Sequence, residues 1–107
     1  MSSENRKKNI LKMLESEPDD VFLNYALAIE HLNSISTLSQ AAEQLKKVLR
    51  LDPQYVAAFY QLGKVYEATG NIPEALRYFN EGLTVAESKK DKKAAGEFRD
   101  AIFLLED

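Results

Sequence analysis

Apolar residues recur every three or four positions along most of the chain, with polar and charged residues between them. That spacing is the period of an amphipathic helix, and it gives each segment one apolar stripe. The first segment, residues 4–16, carries Ile10, Leu11 and Leu14; residues 20–34 carry Phe22, Tyr25, Ile29 and Leu32. Residues 38–51 carry Leu38, Ala41, Ala42, Leu45, Val48 and Leu49, and residues 55–69 carry Tyr55, Phe59, Leu62, Val65 and Tyr66. Residues 72–87 carry Ile72, Ala75, Leu76, Phe79, Leu83 and Ala86, and residues 91–106 carry Ala94, Phe98, Ile102 and Leu105. No long stretch alternates apolar and polar positions between turn signals, so no strand is expected. The predicted class is all-α, with about six helices.

Turn chemistry falls between these stripes. Pro18-Asp19-Asp20 separates the first two segments, and Asp19 or Asp20 can cap the second. Asp52-Pro53 stops the third, because Pro53 lacks an N–H and disfavours a helical residue before it. Gly70 suits a left-handed position after the fourth, and Pro73 falls in the first turn of the fifth, where its missing N–H costs little. The connections are short, so consecutive helices are expected to pack as antiparallel hairpins.

The chain also resembles itself. At an offset of 34 residues, Leu38 falls on Ile72, Ala41 on Ala75, Leu45 on Phe79 and Leu49 on Leu83. A helix pair repeating at this period is the mark of a stacked helical array. Ahead of it, an offset of 35 sets Leu27 on Leu62, Ala28 on Gly63 and His31 on Tyr66, with Asn24 falling on Phe59. Offset 34 would instead set bulky Ile29 on Gly63, and Ala28 suits a tight crossing better. The longer offset requires one extra residue in the turn around Ser34–Thr37, where no glycine occurs.

The run Phe59-x-x-Leu62-Gly63-x-x-Tyr66, followed by Gly70, Ile72 and Ala75-x-x-x-Phe79, resembles the tetratricopeptide repeat, with Phe59 in place of the usual Trp. The preceding helix adds Ala41, Leu45 and the closing Pro53 at matching spacing. The resemblance implies a right-handed array of helix hairpins in a single domain over 1–107. It has an N-terminal helix at 4–16, repeats at 21–54 and 55–88, and a capping helix at 91–106. Gly63 and Ala75 are expected to be small because two helix axes approach there, at a spacing of about 8–10 Å set by the contact residues.

The resemblance also implies a function. The first helix of each pair lines a concave face, where this family holds peptides from partner proteins. Here helix 55–69 offers Ala57, Tyr60, Gln61, Lys64 and Glu67, and helix 20–34 offers Phe22, Tyr25, Ile29 and Asn33. Tyr25 and Tyr60 supply flat apolar contact with a polar tip, and Lys64 a charge for a carboxylate. The chaperone-tail clamp of the family is not expected, because Tyr25 and Ile29 stand at two of its polar positions.

Composition narrows the chemistry further. The chain has 107 residues, a net charge of −3 and no Cys, so it has no thiolate site and no disulfide. Its acidic balance gives no electrostatic reason to bind nucleic acid. The basic run Lys89-Lys90-Asp91-Lys92-Lys93 has no interleaved aromatic residue and reads as a solvated helix end. The lone His31 has no triad or metal partner in sequence. No apolar run approaches the ~20 residues of a spanning helix, and none follows the basic N-terminus as a signal peptide requires. The expectation is a soluble, cytoplasmic, non-catalytic adaptor with no cofactor, no membrane contact and a protein or peptide partner. Pairing of the end helices across a two-fold axis, as a weak homodimer, is the alternative.

Overall fold

The computed structural model describes residues 2–106, and every regular element among them is helical. The helices are α1 (Ser3–Ser16), α2 (Val21–His31), α3 (Leu38–Leu51), α4 (Val56–Ala68), α5 (Ile72–Ser88) and α6 (Lys92–Leu105), with a short 3₁₀ turn at Ile35–Thr37. They form two compact units, Met1–Pro53 and Gln54–Asp107.

In the first unit, α2 pairs with α3 and α1 lies against α2. Asp20 starts α2 by accepting a hydrogen bond from the Leu23 N–H at 2.8 Å. Leu27, Ala28, Ala41, Ala42, Leu45 and Val48 are buried. Among them stands one buried polar residue, Asn24, only 1% exposed. Its amide donates to the carbonyls of Pro18 (3.0 Å) and Asp20 (2.7 Å), and its Oδ1 accepts from Gln44 Nε2 at 2.6 Å. A buried amide is tolerated when its groups are matched in this way. Asn24 therefore pins the α1–α2 turn and α3 to the same point.

Helix α2 ends at His31, three residues short of the 20–34 segment read from periodicity. The reason is local: the Leu32 N–H is shared between the carbonyls of Ala28 and Ile29, which tightens the last turn. Thr37 Oγ1 then donates to the His31 carbonyl at 2.5 Å and to that of Ser34 at 3.1 Å. Hydroxyl groups hold this six-residue connection without a glycine. Helix α1 is held more lightly. Ile10 and Leu14 are half-buried, Leu11 and Met13 are exposed, and Arg6 pairs with Glu30 at 3.3 Å.

In the second unit, α5 packs against both α4 and α6. The two turns share one hydrogen-bond pattern. Gly70 and Asn71 N–H groups donate to the carbonyls of Glu67 and Tyr66; Lys90 and Asp91 N–H groups donate to those of Glu87 and Ala86. Gly70 (φ 84°) and Lys90 (φ 59°) take the left-handed position after each helix. Asn71 and Asp91 then cap the next helix through the N–H groups of Glu74 and Ala94.

Both helix contacts of α5 depend on a missing side chain. A Cβ on Gly63 would lie 2.6 Å from Phe79 Cζ, and one on Gly82 would lie 2.7 Å from Phe59 Cβ and also inside the Phe98 ring contact. Phe79 and Phe98 are fully buried, so neither ring has room to retreat.

Candidate functional site

Because α5 packs against both α4 and α6, those two helices flank it and leave a groove within the second unit. Tyr60 forms its floor. The ring centroid of Tyr60 lies 5.6 Å from that of Phe79 and 5.7 Å from that of Phe98, the latter in an edge-on arrangement. Such tilted contacts suit the charge distribution of aromatic rings and hold the Tyr60 ring in place.

Two hollows adjoin along this floor. The first, of about 420 Å³, is lined on α4 by Val56, Ala57, Tyr60 and Gln61. Its opposite wall is Asp91, Ala94, Glu97 and Phe98. The second, of about 170 Å³, shares Tyr60 and Glu97 and adds Lys64, Glu67, Asp100, Ala101 and Leu104. Helical spacing explains the assembly: positions 57, 60, 61, 64 and 67 step by three or four along one side of α4. On α6, positions 94, 97, 98, 101 and 104 do the same.

The groove thus gathers Ala57, Tyr60, Gln61, Lys64 and Glu67, the five α4 residues singled out by sequence. Tyr25 and Ile29 belong to the first unit, where both are half-buried on α2. Sequence reasoning missed the α6 wall, because residues 91–106 read as a plain covering helix. The missed signal was the placement of Asp91, Glu97 and Asp100 among the small residues Ala94 and Ala101.

The electrostatics also differ from expectation. Lys64 does not stand alone as a cation: its Nζ pairs with Glu67 Oε1 at 3.3 Å on the same helix. Asp91 Oδ1 is engaged in capping α6, at 3.0 Å from the Ala94 N–H. The side chains of Glu97 and Asp100 make no hydrogen bond or ion pair among the described residues. A separate hollow of about 480 Å³ at the α5–α6 turn is lined by Lys90, Lys92 and Arg99 together with Glu87 and Asp91. There Arg99 pairs with Glu87 at 2.8 Å, and Asp91 is engaged in capping α6. Among the described residues no group of acidic, His or Cys side chains is arranged to hold a metal ion, and no helix is long and apolar enough to cross a membrane.

The TPR repeat family matches over residues 36–70. A TPR repeat-containing protein of Pseudomonas aeruginosa is 33% identical over 93 residues, spanning 87% of this chain and 86% of that protein. Among solved structures, a tetratricopeptide repeat domain protein from Salinibacter ruber is 35% identical with a TM-score of 0.77, covering 83% of this chain and 89% of that one. The TPR2B domain of yeast Sti1, solved in complex with pHsp70, superposes with a TM-score of 0.85 over 96% of this chain and 82% of that one. At 18% identity this last likeness is one of fold.

Proposed function

The chain belongs to the tetratricopeptide-repeat family, and we propose that it is a non-catalytic protein-interaction module that holds a segment of a partner protein in the α4–α6 groove. The family's repeats mediate protein–protein interactions, and a structural neighbour is a domain solved with its partner. The observation that carries the reading is the first hollow. It has an ordered aromatic floor at Tyr60 and Phe98, small walls at Ala57 and Ala94, and polar groups at Gln61 and Glu97. Its volume lies in the range of sites that accept a bulky side chain or small ligand. The reading requires no cofactor.

Ala57 is exposed and faces the hollow, so Ala57→Arg fills it without touching the core. The immobilised chain is expected to recover a discrete partner from native cell extract, and Ala57→Arg to lose it. Ser39→Arg, on an exposed α3 position, is expected to retain it. Equal recovery by both variants contradicts the groove reading.

Self-association is a second reading, favoured by Phe103 and Leu104, which stand 68% and 81% exposed near the end of α6. Large exposed apolar side chains are common at interfaces. Analytical ultracentrifugation across a wide concentration range should then show a mass increase that Phe103→Glu removes; a constant monomer mass rules it out.

A further inference from the structure

We propose that the segment held in the α4–α6 groove is basic: an apolar side chain seated beside Tyr60 and Phe98, with lysine or arginine side chains next to it along Glu97 and Asp100. This rests on the groove reading above and specifies the chemistry of its ligand.

Charge accounting carries the inference. The two hollows are lined by four carboxylates, those of Asp91, Glu97, Glu67 and Asp100, against the single ammonium of Lys64. That ammonium is already paired with Glu67, so it offers little to an incoming anion. Glu97 and Asp100 have no such partner among the described residues. An acidic segment would bring like charge against them. A basic segment would complete them, and a cleft lined by one sign of charge also raises the local concentration of the opposite sign.

Geometry orders the two elements of the ligand. Glu97 and Asp100 lie one helical turn apart on α6, a rise of about 4.5 Å, close to the span of one or two extended residues. The hollows share Tyr60 and Glu97, so a chain that seats an apolar side chain in the first passes directly into the second. Tyr60 lines both hollows, and an aromatic ring beside carboxylates suits a guanidinium or ammonium group. The ligand is therefore an apolar anchor flanked by cationic residues, the charge opposite to that expected from Lys64 alone.

The test uses three synthetic peptides of equal length, each with one central tryptophan, flanked by lysine, by glutamine or by glutamate. The chain contains no Trp, so peptide fluorescence anisotropy reports binding alone. At low salt the lysine peptide is expected to bind roughly tenfold tighter than the glutamate peptide, with the gap closing at high salt. The double variant Glu97→Lys/Asp100→Lys changes two exposed positions and should invert the order. A glutamate peptide that binds wild type as well as the lysine peptide, or an order the double variant leaves unchanged, overturns the inference. If Ala57→Arg still weakens the peptides in that case, the groove reading survives and only the charge assignment fails. If Ala57→Arg has no effect, or no peptide binds, both fail.

Discussion

The α2–α3 and α4–α5 pairs perform the same structural task with different chemistry. In α4–α5 the contact is an aromatic one: Gly63 admits the fully buried Phe79 ring, Phe59 is buried beside it, and Tyr66 stacks on Tyr78 with centroids 5.7 Å apart. In α2–α3 the matching positions hold Ala28 for Gly63, Leu45 for Phe79 and Asn24 for Phe59, while His31 and Gln44 replace the stacked tyrosines. The smaller side chain at Leu45 fits with the larger one at Ala28, and a hydrogen-bonded amide occupies the aromatic site. One repeat geometry is thus stabilised by ring packing in one place and by a satisfied polar cluster in the other. Ring packing tolerates no added volume, whereas the polar cluster tolerates no lost partner.

The largest effect should come from Gly63→Leu, which drives a side chain into Phe79 and is expected to cost about 3 kcal/mol, a fall of ten degrees or more in thermal melting. Phe79→Leu in the same chain should recover part of that loss, because it recreates the combination of larger and smaller residues found at Ala28 and Leu45. By contrast, Ala28→Gly should cost only about 1 kcal/mol, mainly through helix propensity. Near-equal losses for Gly63→Leu and Ala28→Gly would show that the α4–α5 crossing is no tighter than the α2–α3 one.

Next in size, Asn24→Leu leaves Gln44 Nε2 without its acceptor and takes one of two donors from each of the Pro18 and Asp20 carbonyls, which keep Lys47 Nζ and the backbone N–H of residue 24, at a cost of about 2 kcal/mol. In urea unfolding, the double variant Asn24→Leu/Gln44→Leu should be more stable than the sum of the single losses. Strict additivity would show that the amide pair is not a unit.

A smaller effect, of opposite sign, follows from the two turns of the second unit. Lys90 takes the left-handed position that Gly70 fills at the preceding turn, so Lys90→Gly should stabilise by about 0.5–1 kcal/mol. A loss of stability on that change would show that the Lys90 side chain contributes more than its backbone strain costs.

The weakest effect is on pH, and it belongs to the first unit alone. His31 Nδ1 is buried without a hydrogen-bond partner among the described residues, and burial, aided by the Lys7 charge, lowers its pKa below the ordinary value of 6.5. The unfolded chain therefore takes up the proton first as pH falls. Stability from this group is full above 6.5 and is lost as pH drops through that value toward the lower folded one. His31→Tyr, which installs the residue found at Tyr66, should flatten the stability profile across this window. An unchanged slope would move the pH dependence to other groups.

The helices and their turns were legible because their signals are local. Pro53, Gly70 and Pro73 act on the backbone next to them, and the three-to-four spacing marks the buried face. Periodicity erred where one helical step separates two similar residues: Ala95 is buried in α6, while Ala94 lies on the groove wall. Tyr78 and Gly82 stand outside the apolar stripe read from spacing, yet Tyr78 is buried and Gly82 makes room for the Phe98 ring of α6. The Asn24–Gln44 bond joins residues on different helices, so no local pattern announces it. The α4 half of the groove followed from spacing on one helix. The α6 half did not, because which face of a covering helix meets a neighbour depends on the packing of α5 between them. The sign of the groove's charge was missed for the same reason: Lys64 is visible in sequence, but Glu97 and Asp100 join it only in the fold.

If the α4–α6 groove seats a partner segment, amide NMR of the labelled chain will locate it there. On titration with the tryptophan peptide that binds tightest, the largest shifts should fall on Ala57, Tyr60, Gln61, Glu97 and Phe98, and Ala57→Arg should erase them. Shifts concentrated on α3 or α5, or shifts that persist in Ala57→Arg, would contradict it.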